Sequence, residues 1–144
     1  MVKTMHQAQG VGLAANQVGS DWQVFVLECR FNPRYPGAQD IPLGIYLNPR
    51  ILKSSKDQEM DWEGCLSIPG YRGLVRRAKE VTFEALTPEG KKVKETVKGF
   101  HARVIQHEVD HLCGFFYVDR MPDLKQWFHL EEFSRQKEVE IEDR

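Results

Sequence analysis

The sequence holds no apolar run near the roughly 20 residues a bilayer-crossing helix needs, so no membrane span is expected. Its first residues also lack the apolar stretch of a secretory signal. Charge of one sign is missing too: 20 Lys and Arg face 21 Asp and Glu, for a formal net charge of -1. Nothing therefore pulls the chain toward nucleic acid or an anionic membrane, and neither partner is expected. Cysteine is scarce, with 3 residues in no framework-like spacing. That argues against a disulfide scaffold and for a reducing compartment, with a metal or thiol role for cysteine. No internal repeat, low-complexity tract or linker interrupts the 144 residues, which carry 41% hydrophobic and 28% charged side chains. One domain spanning residues 1–144 is expected.

Histidine is sparse as well, at 5 residues, yet two of them sit four apart in His107-Glu108-Val109-Asp110-His111. Residues four apart share a helix face, so His107 and His111 can aim two imidazoles at one metal ion. Glu108 can reach a water beside that ion without ligating it and act as general base. Phe100, Val104, Ile105, Val109 and Leu112 surround the motif, while Arg103, Gln106 and Asp110 form one narrow polar stripe. A helix apolar over most of its circumference is expected to be central, entered after Gly99 and left at Gly114.

A catalytic site of this kind wants a third protein ligand and one open position. Cys113 adjoins the motif but points about 200° away from His111 on a continuing helix, so it is expected to be a small buried hydrophobe. Cys29, at the end of a predicted strand, is expected to be the same. Cys65 differs, because Gly64 lets the backbone come close and the thiol turn inward, where a metal would stabilise its thiolate. Cys65 is the leading candidate, with the carboxylates of Asp110 and Glu63 as weaker ones.

Along the chain, Val2, Met5 and Ala8 lie at helical spacing up to Gly10, and a turn begins at Gly10-Val11-Gly12. Strands are predicted over residues 23–28, over 45–49 with Pro49 closing it, around Val75, over 80–86 and over 92–97. Residues 32–37, 53–59 and 87–90 read as loops or turns, and 62–70 as a tight stretch with a short strand. Residues 115–118 read as a short strand or a helix extension. Asp123 is a predicted N-cap for a final helix carrying Leu124, Trp127, Phe128 and Phe133, and the charged tail 135–144 is expected to fray. The class is α+β, with antiparallel β-sheets packed around a central metal-binding helix and a C-terminal helix.

Three separated stretches together resemble the motifs of the peptide deformylase family, in order and with fitting separations: Gly10-Val11-Gly12-Leu13-Ala14-Ala15-Asn16-Gln17, Glu63-Gly64-Cys65-Leu66-Ser67 and Gln106-His107-Glu108-Val109-Asp110-His111. The likeness covers nearly all of residues 1 to about 120. It implies an enzyme that removes the formyl group from N-formylmethionine on new polypeptides and releases formate. It implies Cys65, His107 and His111 as metal ligands, Glu108 as acid and base, and Gln17 with the backbone N–H of Leu66 as holders of the formyl oxygen. Gly12 and Gly64 would lie along the peptide, and Val11, Phe100 and Val104 are candidates for the methionine pocket. The implied cofactor is one divalent ion, usually Fe(II), with zinc, nickel or cobalt able to replace it. The implied partners are formyl-methionine nascent peptides and, transiently, the ribosome, in a bacterial-type cytoplasm; a transit peptide would precede Met1, so an organellar home stays open, as does the oligomeric state.

Two features depart from the family's pattern. Asn16 stands where proline is usual, which adds a polar group and freedom ahead of Gln17. The sequence begins abruptly, without the helix and strand the family generally carries before the first motif. A misplaced start, a fragment and a shortened natural form stay open, and true loss of that segment is expected to expose part of the core. The rival readings are an H-E-x-x-H peptidase of ordinary peptide bonds and a weak deformylase-like binder of peptides or ribosomes. The cysteine ligand and the Gly-Leu-Ala-Ala-x-Gln stretch favour the deformylase.

Overall fold

A computed structural model describes residues 1–142. Its elements, in chain order, are α1 (Val2–Gln7), β1 (Gly12–Ala14), β2 (Val24–Cys29), β3 (Ile41–Ser54), β4 (Gln58–Cys65), β5 (Ile68–Ala78), β6 (Glu80–Leu86), β7 (Lys92–Lys98), α2 (Gly99–Leu112), β8 (Trp127–His129) and α3 (Leu130–Glu142). Every strand pairing is antiparallel, in a five-stranded sheet ordered β1-β2-β3-β6-β7 and a three-stranded sheet ordered β4-β5-β8. The class is α+β, as expected, and α2 lies between strands of both sheets.

The strands follow the alternation of their side chains. In β6, Val81, Phe83 and Ala85 point inward while their neighbours are only half-buried. They join Phe25 and Leu27 of β2, Ile41 of β3 and Ala102, Val104 and Ile105 of α2 in one apolar core. The α2 helix ends in a Schellman arrangement: Phe115 N–H donates to Asp110 O, Gly114 N–H to His111 O, and Gly114 takes the left-handed φ of 85° that suits glycine.

Several boundaries differ from the sequence reading. The strand expected to close at Pro49 continues to Ser54, because the register shifts between Leu47 and Arg50 and a bulge accommodates the proline. Of residues 53–59, only 55–57 form the loop expected; 53–54 end β3 and 58–59 begin β4, and the exposed side chains of those strand ends carry no apolar alternation. The stretch 62–70 belongs to two long strands joined at Leu66 and Ser67. The Schellman stop prevents a helix extension into 115–118, and a 3-10 turn, Tyr117–Arg120, follows instead. Asp123 caps only the 3-10 turn Leu124–Gln126, accepting from Lys125 N–H at 2.9 Å. Trp127 and Phe128 lie in β8, because Trp127 stacks on Tyr71 at 4.5 Å and donates to Tyr117 Oη at 3.0 Å. The last helix therefore starts at Leu130 and keeps only Phe133 of the four expected residues, its ring 4.8 Å from Trp62. The tail expected to fray is helical as far as Glu142; Asp143 and Arg144 lie outside the described residues.

Candidate active site

The side chains of Cys65, at the end of β4, and of His107 and His111, on α2, converge. One donor atom from each lies within 4.8 Å of the others. The Cys65 Sγ is 3.3 Å from His111 Nε2, and it accepts from Ser67 N–H at 3.4 Å. Burial pushes the Cys65 thiol up, but hydrogen bonds and charge from His107 and His111 outweigh it and bring the group down to about 6. A thiolate is thus favoured at neutral pH, which is the form that binds a metal.

His107 is oriented from behind. Its Nδ1–H donates to Glu63 Oε2 at 2.8 Å, which leaves Nε2 as the nitrogen available to the cluster. Burial alone would raise the Glu63 carboxyl, yet the His107 hydrogen bond and the Arg77 guanidinium hold it well below the usual carboxylate range. Arg77 reaches both Glu63 oxygens, at 2.9 and 3.1 Å, and Asp110 Oδ2 at 2.5 Å; Arg103 Nη1 donates to Glu63 Oε1 at 2.8 Å. The polar stripe of Arg103, Gln106 and Asp110 finds its partners inside the protein: Arg103 is 5% and Asp110 9% exposed. Gln106 bonds the Ala78 backbone in both directions. Glu63 and Asp110, weaker ligand candidates, are taken up by arginines and lie outside the donor cluster. Cys113, expected to be buried, is exposed beyond the helix stop, whereas Cys29 is buried as expected.

Glu108 is 3% exposed, and its Oε2 has no hydrogen-bond partner among the described residues. Burial, opposed by the two histidines and reinforced by Cys65 and Glu63, pushes its carboxyl up to about 7. Gly12 makes room for it: a Cβ there would collide with the Glu108 carboxyl group. Gln17 is held by Ala14 N–H donating to its Oε1 at 2.9 Å, while its Nε2 donates to Ser67 Oγ at 2.9 Å and faces Cys65 Sγ at 3.7 Å. Asn16 anchors the same turn to α2 by donating to His111 O at 2.5 Å, so the polar group that replaces proline has found a partner.

Cys65, His107, Glu108, Glu63, Gln17 and Gly12 border one cleft, which Val11, Phe100, Val104, Gly64 and Leu66 also line. The cleft therefore gathers each residue that the sequence singled out for catalysis and substrate binding, apart from His111, which joins it through Cys65 at 3.3 Å. Arg34 and Tyr35 line it too, and sequence reasoning missed both. Their loop was legible as a loop, and an aromatic between two prolines was the available signal.

A family profile for Polypeptide deformylase matches residues 1–127. The chain belongs to that family. Among deformylase relatives, it is 46% identical to peptide deformylase 1 of Bordetella pertussis over 131 residues, 91% of this chain and 74% of the relative. It is 44% identical to peptide deformylase 2 of Pseudomonas putida over the same shares. Among solved deformylases, a Met-Ala-Ser-bound class I type b enzyme from Acinetobacter baumannii superposes with a TM-score of 0.81 at 44% identity, covering 84% of this chain and 76% of that one. A deformylase from Synechococcus elongatus in complex with actinonin gives 0.78 at 36% identity, covering 88% and 64%. The deformylase fold and the antiparallel α+β architecture agree, and membership favours deformylation over the general peptidase reading.

Proposed function

We propose that the cleft performs the family's reaction, removal of the formyl group from N-formylmethionine on a new polypeptide, with Cys65, His107 and His111 as ligands of one divalent metal ion. The residues suit such an ion: a thiolate-prone sulfur and two imidazoles lie within 4.8 Å of one another, and one imidazole is backed by a carboxylate. That convergence carries the reading. When bound, the ion would supply Lewis-acid polarisation and lower the pKa of water toward neutrality. Fe(II) is the proposed occupant, with zinc, nickel or cobalt compatible with the same sulfur and nitrogen donors.

The chain's own groups then divide the work. Glu108, whose buried Oε2 is free, takes the proton of the attacking water and delivers it to the departing amine as the C–N bond breaks and formate leaves. The Gln17 Nε2–H and the Leu66 N–H meet the charge that develops on the formyl oxygen, and one such donor is worth about 3 kcal/mol. Gly12 lies on β1 and Gly64 on β4, both end strands in their sheets' order, so an extended peptide can pair its backbone beside them. Val11, Phe100 and Val104 offer the methionine side chain an apolar wall. The hydrogen on the far side of a formyl carbon is small, and a closely packed site excludes larger acyl groups.

We take residues 1–144 as one catalytic domain, acting on nascent chains at the ribosome in a bacterial-type cytoplasm. No described helix is long and apolar enough to cross a membrane. The test pairs metal analysis of anaerobically prepared protein with formate release from formyl-Met-Ala-Ser. One equivalent of metal with turnover is expected, and Cys65→Ser should lose the metal on dialysis. Glu108→Ala should keep the metal and lose at least about 100-fold in turnover. Near-normal formate release by that variant would remove Glu108 as the base, and unchanged metal in Cys65→Ser would point to another ligand.

A further inference from the structure

The cleft has one wall that comes from neither the three motifs nor α2. Tyr35 sits in the loop between β2 and β3 and lines the cleft, its ring 5.2 Å from that of Phe100. Phe100 and Val104 project from successive turns of α2 on the side that carries Glu108, so Tyr35 closes the apolar end of the cavity that they begin. Two cations lie near its ring, with the Arg72 guanidinium carbon 4.6 Å and the Arg34 one 5.9 Å from the centroid. Arg72 is 7% exposed and does not itself line the cleft; its Nη2 donates to Arg34 O at 3.0 Å, pinning the loop backbone one residue from Tyr35. The loop is fastened again at its start, where Asn32 donates to Gln9 O at 3.0 Å and accepts from Arg34 N–H at 2.9 Å.

We propose that Tyr35 is a specificity-determining residue that limits the size of the first side chain of the substrate, and that Arg72 is a positioning residue that holds it there. The inference rests on the deformylase reading of the cleft and deepens it. A ring clamped on one face by a buried guanidinium and packed on Phe100 cannot swing aside at low cost, so it bounds the pocket as a wall rather than a flexible lid. A slim, unbranched side chain such as methionine enters beside it, whereas a phenyl ring meets it. Removing the wall opens the pocket to bulk and takes contact away from methionine.

The test uses the metal-loaded full chain and four formyl peptides with a common Ala-Ser tail, beginning with Met, norleucine, Leu or Phe. Tyr35→Ala should reduce the Met-over-Phe ratio of kcat/KM by about tenfold or more, the scale of contacts in an apolar pocket. For the Met peptide the loss should fall on KM more than on kcat, as expected when uniform binding is removed. Tyr35→Phe, which keeps the ring, should restore the ratio to within about twofold of wild type. Arg72→Lys, which keeps the charge but loses the fork that reaches Arg34 O, should move the ratio in the same direction as Tyr35→Ala and less far. Equal losses on all four peptides, with the ratio unchanged in a folded Tyr35→Ala protein, would mean that the loop is only structural and would overturn the proposal. Should wild type release no formate from any peptide, the deformylase reading itself fails. Calorimetric binding of unformylated Met-Ala-Ser against Phe-Ala-Ser to wild type and Tyr35→Ala then still decides whether Tyr35 sets the pocket.

Discussion

The two long faces of α2 are buried alike and held by different physics. Ala102 and Ile105 join the apolar core that the five-stranded sheet supplies with Phe25, Leu27 and Phe83. Arg103 and Asp110 turn toward the three-stranded sheet and meet Glu63 on β4 and Arg77 on β5. The first face stabilises in proportion to the apolar area removed from water, about 25 cal/mol per Å². The second must offset the desolvation of four charges, and a hydrophobic replacement of equal shape could match it in stability. What the ionic face adds is position. Glu63, fixed by two arginines, in turn fixes the ring of His107. The dry face makes the helix stay; the ionic face decides where its imidazoles point.

The sharpest way to break that contrast is Arg77→Met, which leaves Glu63 and Asp110 without their shared partner. It should cost about 3 to 5 kcal/mol in urea unfolding, the scale of a broken buried pair. It should also weaken metal binding about 10-fold to 100-fold, because the carboxylate behind His107 loses its hold. A variant of normal stability and normal metal affinity would show that the network is ornamental to both. The counterpart on the dry face is Ile105→Ala, where a fully buried side chain is removed from the same helix. About 2 to 5 kcal/mol of stability should go, with metal affinity per folded molecule unchanged. If affinity falls in step, the two faces are not separable and the division above is wrong.

The same contrast explains what could be read from the sequence. The His107 and His111 pair was legible because helical spacing and donor chemistry are both local properties, and Cys65 followed from an incomplete ligand set. Strands such as 80–86 were legible from their alternation. The ionic face was not, since Arg103 and Asp110 look like solvated residues until strands more than 25 positions away bring Glu63 and Arg77 against them. Trp127 and Phe128 read as helix for a related reason: β5 and its Tyr71, far back in the chain, draw them into a strand. Pro49 misled because a bulge absorbs the amide it lacks. Tyr35 was invisible as a pocket wall because its orientation depends on Arg72, a residue of the other sheet.

A third contact of α2 is neither dry nor ionic, and it gives the smallest effect. Asn16 is exposed, yet its amide donates to the carbonyl of His111 in the last turn of the helix. That carbonyl also accepts from Gly114 N–H in the helix stop, so it is not orphaned when Asn16 is removed. Asn16→Ala should therefore cost only about 0.5 to 1.5 kcal/mol, the net worth of one neutral hydrogen bond at the surface. Urea unfolding measures that cost directly, and formate release reports whether Gln17, the next residue, still presents its amide. Asn16→Pro removes the same bond but stiffens the approach to Gln17, lowering the entropy of the unfolded chain. If proline restores the stability that alanine loses, the side-chain bond in this protein does the work of a rigid backbone. If both variants fall equally, the bond to His111 matters for itself, as a tie between the turn that carries Gln17 and the helix that carries the histidines.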